Sequence, residues 1–210
     1  MPSRILHLAV SSLLEKEFDF RDRNRLHVGA VMPDACASRA GHFRVDYPDG
    51  RRTYSLSAFR ARYGDRLLAD ELCLGYYLHL AEDMIQRGML YGERGYVPTE
   101  ENVRRLHRDY TNLNPWAIRK YGLADDVRLP DGWEDEPIAR AFPFRLPEFL
   151  DEMRGDFAVP EYDGPYAVFT PDFADEFIRR AAEAMVREID ALRHGETTID
   201  EEAFAWGKMK

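Results

Sequence analysis

Cysteine is scarce in this chain. Only Cys36 and Cys73 occur among 210 residues, and they form no Cys-x-x-Cys pair. No disulfide framework is expected from them, and they read as cytoplasmic thiols. Long apolar runs are missing too: nothing approaches the roughly 18 uncharged apolar residues that span a bilayer. The opening stretch MPSRILHLAVSSLLEKEF carries a short apolar run, but Glu15 and Glu17 follow at once and no small-residue cleavage site appears. A signal peptide is therefore not expected, and the chain reads as intracellular. Basic excess is also lacking. The net charge of -9 and pI near 5.2 argue against a nucleic-acid scaffold. They do not argue against a pocket for a phosphoester, where local charge decides. There is no internal repeat and no low-complexity tract.

What is present is the composition of a globular protein, 45% hydrophobic and 32% charged, over a length suited to one domain spanning residues 1–210. Helical spacing of apolar residues predicts a helix from Arg4 to Phe18, with His7 on or beside its buried face. A short helix ending near Gly29 and a turn at Pro33-Asp34 come next. Two alternating runs flank Pro48-Asp49-Gly50 and predict a hairpin. Ser57 is placed to cap a helix over 58–63. The strongest helix is expected over 65–89, apolar nearly all round and hence central. Thr99 to Asn102 opens another helix, with a break at Asn114-Pro115. Residues 123–170 read as a long surface loop or lid with one or two short helices. Thr170-Pro171 starts a helix that Gly195 stops, and IDEEAFAW reads as a short terminal helix. The fold class is all-α with a small β-hairpin.

The chemistry lies in the polar residues of these apolar segments. Six histidines occur. His79 and Asp83 are four apart in the central helix, on one face and within reach of one ion. Imidazole with carboxylate suits zinc or another borderline divalent metal. A buried ionised Asp needs a compensating cation, and Arg87, at i+4 from Asp83, offers an ordinary salt bridge instead. Asp34 and His42 form a second pair, in loops. His7 adds a third histidine. His107 and Asp109 read either as an acid–base pair near the site or as one face of an amphipathic helix. His27 and His194 read as surface or cap residues.

The stretches MPSRILHLAV, HVGAVMPDACAS, GHFR and LCLGYYLHLAEDM, in that order, resemble the zinc-dependent phospholipase C-like family, whose helical fold is shared with the P1-type nucleases. The resemblance covers about the first 90 residues. It implies that Asp34, His42, His79 and Asp83 are ligands of one metal site. It also implies that His7 belongs to a neighbouring site bridged by Asp83. The free N-terminal Trp and the later His-x-x-x-Glu cluster of the family's best-known phospholipases have no counterpart here. The expectation is one zinc, with a second through His7 and other divalent metals not excluded. The implied activity is hydrolysis of a small or lipid-derived phosphoester, with Asp34 as general base. A non-catalytic helical protein with a structural or vestigial metal site is the rival reading. An HD-type phosphohydrolase lacks its adjacent His-Asp pair here, and the acyltransferase His-x-x-x-Asp motif lacks its flanking His and Gly.

Overall fold

The structure is a computed structural model describing residues 3–207. It is mostly helical, with a small three-stranded antiparallel sheet at one side. The centre is α4 (Glu71–Arg87), in which every residue from Leu72 to Gln86 is buried. A helix buried all round needs partners on all sides, and α1 (Arg4–Leu14), α2 (Arg23–Val31), α3 (Leu56–Tyr63) and α8 (Pro171–Arg193) supply them. α5 (Glu100–Tyr121) packs against α1.

The α2–α4 crossing is a close one because two glycines face it. A Cβ on Gly29 would collide with the Leu72 carbonyl, and one on Gly75 with the Leu26 carbonyl. Backbone thus meets backbone at the crossing, and this contact sets the site described below.

β1 (Arg44–Asp46) and β2 (Arg51–Tyr54) form the expected hairpin, with Val45 opposite Thr53. A third strand, β3 (Trp206–Gly207), pairs with β2 through Arg52 and Trp206. The terminal segment is therefore not the helix expected of IDEEAFAW: 201–204 is a turn leading into β3. Its acidic residues are used elsewhere. Glu201 accepts from the Ser57 amide (2.8 Å) and from the hydroxyls of Ser55 and Ser57, so Ser57 binds the chain end. Ser55 is the helix cap instead, its hydroxyl accepting from the Ala58 amide.

Other boundaries move for similar reasons. The central helix begins at Glu71 rather than Asp65, because Asp70 turns its carboxylate onto the Leu72 amide and onto Arg25 and Arg66. Pro115 does not break α5. The helix runs through it, and both Asn114 and Pro115 are buried; packing there outweighs one missing amide. Within 123–170, α6 (Pro137–Ala141) and α7 (Leu146–Phe157) are the two short helices expected. Thr170 caps α8, which ends at Arg193. Both cysteines are free thiols. No helix among the described residues is long and apolar enough to cross a membrane.

Candidate metal centre

Five sequence-predicted residues converge at the middle of the bundle. His7 comes from α1, and His79 and Asp83 from α4. Asp34 comes from the 3-10 turn Met32–Ala35, which continues α2. His42 ends a second 3-10 turn, Arg39–His42. Phe43 follows it with φ of 51°, a left-handed conformation costly for a residue with a Cβ. That strain is held by packing: the Phe43 ring lies against Phe59 (5.2 Å) and Phe142 (5.5 Å), and the Ser55 amide donates to the Phe43 carbonyl. The turn into the hairpin is thereby fixed with His42 facing α4.

The protonation pattern follows from the hydrogen bonds. His79 Nδ1 lies 2.7 Å from the Ala30 carbonyl oxygen, which can only accept, so Nδ1 carries the proton and Nε2 presents a lone pair. His79 Nε2 lies 3.3 Å from His42 Nε2 and 3.8 Å from Asp34 Oδ1, and His42 Nε2 is 3.3 Å from Asp34 Oδ1. Asp83 Oδ2 is 3.9 Å from His42 Nε2, and Asp83 Oδ1 is 3.8 Å from His7 Nε2. Ligands about 2.0–2.1 Å from a tetrahedral zinc stand about 3.3–3.4 Å from one another. The Asp34–His42–His79 edges match or slightly exceed that spacing.

Apart from the ring nitrogens of the cluster itself, no group among the described residues reaches these atoms. His7 Nε2, Asp34 Oδ1 and both oxygens of Asp83 are buried without a hydrogen-bond partner. No Lys or Arg among the described residues lies within 4.0 Å of Asp34 or Asp83. The alternative of a salt bridge from Arg87 to Asp83 is not realised: Arg87 Nη2 donates to the Tyr54 hydroxyl at 2.8 Å. Burial alone would raise both carboxyls, yet the imidazoles around them hold Asp34 and Asp83 below the ordinary aspartate value. Burial, opposed by Asp34 and Asp83, keeps His79 below the ordinary histidine value. Two anions and lone-pair nitrogens facing one small space fit a divalent cation.

A sixth residue belongs here that sequence reading missed. Glu82, fully buried, lies with Oε2 2.6 Å from His7 Nδ1. Burial and Asp83 push Glu82 well above the carboxylate range, while burial and His79 push His7 well below the histidine range. Both groups therefore favour their neutral forms, and one proton lies in the short contact between Oε2 and Nδ1. A carboxyl behind a ligand imidazole is the usual outer support of a metal site: it orients the ring and, once ionised, accepts from Nδ1 and leaves the Nε2 lone pair free. The only signal in the sequence was a second acid, next to Asp83, in a helix apolar all round.

The cluster is nearly sealed. His7, His79 and Asp83 have no exposed surface, and only His42 and Asp34 keep about a tenth of their side-chain area, 10% each. Any small molecule must approach from that edge. His107 is exposed on α5. Asp109 is buried for a different purpose: its Oδ2 accepts from the amides of Ala167, Val168 and Phe169 at 3.0, 2.6 and 3.0 Å, pinning the segment before α8. The amphipathic reading of α5 thus holds, with Asp109 on the buried side and His107 on the exposed side. His27 is half-buried and paired with Glu15, and His194 caps the end of α8.

Comparison with protein-family models, with curated proteins and with solved structures gives no match, so the cluster is read from its own geometry.

Proposed function

We propose that Asp34, His42, His79 and Asp83 hold a zinc ion, with Asp83 and His7 offering a second position, and that the chain is a metal-dependent phosphoester hydrolase. One observation carries the metal assignment: buried acceptor atoms of these residues face one another, with no Lys or Arg among the described residues within 4.0 Å and no hydrogen bond that satisfies them. The two ligand groups, His7–His79–Asp83 and Asp34–His42–His79, share His79. Its single lone pair can serve one ion, and the shorter distances favour the Asp34–His42 side. When bound, such an ion supplies Lewis acidity, which lets a water lose its proton near neutral pH.

The protein's own residues would do the rest. Ala30 and Glu82 hold the two ring orientations. Asp83 spans both positions with its two oxygens. Asp34, at the edge that keeps some exposure, would take a proton from an incoming nucleophile. The substrate class, a small or lipid-derived phosphoester, rests on the resemblance of the first 90 residues and on zinc chemistry.

The burial of His7, His79 and Asp83 favours a second reading, a closed structural metal site in a non-catalytic protein. Metal analysis of the purified protein, with His79→Ala and Asp83→Ala beside it, separates the readings when combined with a panel of phosphodiesters and phosphomonoesters. Bound metal with turnover that Asp34→Asn abolishes, metal being retained, supports the hydrolase. Bound metal without turnover supports the structural site. Wild-type protein that neither carries metal nor binds added zinc sinks both.

A further inference from the structure

A cleft of about 1280 Å³ opens beside the sheet, between the end of α4, α8 and the strand-forming chain end. None of the five cluster residues lines it. Five arginines and three glutamates do, although the chain as a whole has 38 acidic residues against 29 basic ones. Glu93 and Glu202 are engaged, by Arg180 and Arg51. Arg52, Arg87 and Arg187 are far less neutralised.

Arg87 is the unusual one. Its guanidinium lies 4.4 Å from the Trp206 ring centroid and 5.4 Å from that of Tyr54. Both π-faces thus bear on its orientation, and its edge is left for hydrogen bonding. Nη2 donates to Tyr54, while Nε is buried and donates to nothing. No carboxylate among the described residues lies within 4.0 Å of it. Arg52 Nε is likewise buried without an acceptor, its nearest carboxylate oxygen, on Asp46, being 3.9 Å away. Arg187 stands exposed at the rim and makes no ion pair among the described residues. A partly buried guanidinium with unused donors is costly unless an anion comes to it.

We infer that this cleft binds a small organic phosphate, its anionic group at Arg87 and its apolar part along Trp206, Phe204 and Tyr91. A tetrahedral oxyanion offers acceptors in several directions, which suits donors contributed by α4, β2 and α8 better than a planar carboxylate does. The volume exceeds that of phosphate alone, and the aromatic wall gives the remainder of the ligand a surface to cover. The inference goes beyond the metal reading, because the cleft and the cluster share no residue.

The test uses the full chain both as purified and after chelator treatment, the treated protein being checked for its fold by circular dichroism, so that binding at a metal is told apart from binding in the cleft. Phenyl phosphate, inorganic phosphate, benzoate and phenol are titrated by calorimetry. Phenyl phosphate should bind saturably at millimolar concentration or tighter, inorganic phosphate more weakly, and benzoate and phenol more weakly still. Arg87→Gln should weaken phenyl phosphate at least about tenfold, the loss expected for a hydrogen bond to a charged group. Arg52→Gln and Arg187→Gln, more exposed and so safer for folding, should each weaken it about threefold or more. The proposal is overturned if wild-type protein shows no saturable binding, or if benzoate binds as tightly as phenyl phosphate. It is also overturned if Arg87→Gln, folded by circular dichroism, keeps wild-type affinity. Should Arg87→Gln not fold, unchanged affinity in both other variants overturns it.

Discussion

Glu82 Oε2 stands 2.6 Å from His7 Nδ1 with both side chains buried, so one histidine of the cluster is held by a carboxylate that faces away from the cluster itself. Adjacent residues Glu82 and Asp83 thus take different tasks, about 100° apart around α4. Glu82→Gln should keep the fold, since the amide oxygen can still accept from Nδ1. It should nevertheless lower zinc affinity about tenfold, because an amide cannot ionise to put negative charge behind the ring when a cation sits at Nε2. Zinc titration by calorimetry checks this; affinity equal to wild type would remove Glu82 from the site.

The contrast between Glu82 and Asp83 shows how far the sequence was readable. The four-residue spacing of His79 and Asp83 was legible because it depends only on helix geometry within one segment. The convergence of His7, Asp34 and His42 was legible only through the order of the quoted motifs, since nothing local says that three separate elements meet. Glu82 was not legible, because its partner is 75 residues away. The same holds for β3 and the Glu201 contacts, which pair the chain end with residues 51–57. Long-range pairing overrode a local helical pattern there. Helices α5 and α8 carried their caps at Thr99 and Thr170 in the sequence itself and were found where expected.

The α2–α4 crossing is a second point of test. Gly75→Ala places a methyl group against the Leu26 carbonyl and should destabilise the protein by about 2–3 kcal/mol through forced separation of the helices. Gly64→Ala, where the added carbon meets nothing within 4 Å, should be close to neutral. Because Ala30 follows Gly29 at that crossing, Gly75→Ala should also weaken zinc binding. Urea unfolding and zinc titration of both variants are the measurements. Equal stability of the two would show that the crossing is not tightly packed.

Asp70 predicts a pH dependence. It bridges Arg25 and Arg66, at 2.7 Å each, and Glu136 closes the ring on both arginines. Burial would raise the Asp70 carboxyl, but Arg66 and Arg25 outweigh it and hold it below the usual aspartate value. With the folded value below the unfolded one, the unfolded chain binds more protons at acid pH. The stabilisation is therefore complete above the ordinary value, about 4, and is lost as pH falls through the folded value. Asp70→Asn keeps a side chain able to cap α4 but carries no charge. It should be less stable than wild type at pH 7, and the difference should shrink towards pH 3. Chemical denaturation at both pH values decides; a constant difference would assign the loss to the cap alone.

The hydrogen bond from His79 Nδ1 to the Ala30 carbonyl has a consequence for inheritance. An oxygen of the main chain is the same whatever residue occupies position 30. The proton on the wrong nitrogen cannot arise by replacing that partner's side chain, as it could if an Asp or Asn oriented the ring. The ring's setting is therefore buffered against mutation at the very residue that determines it. It is exposed instead to changes at Gly29 and Gly75, whose Cβ positions face the α2–α4 crossing and not the His79 ring.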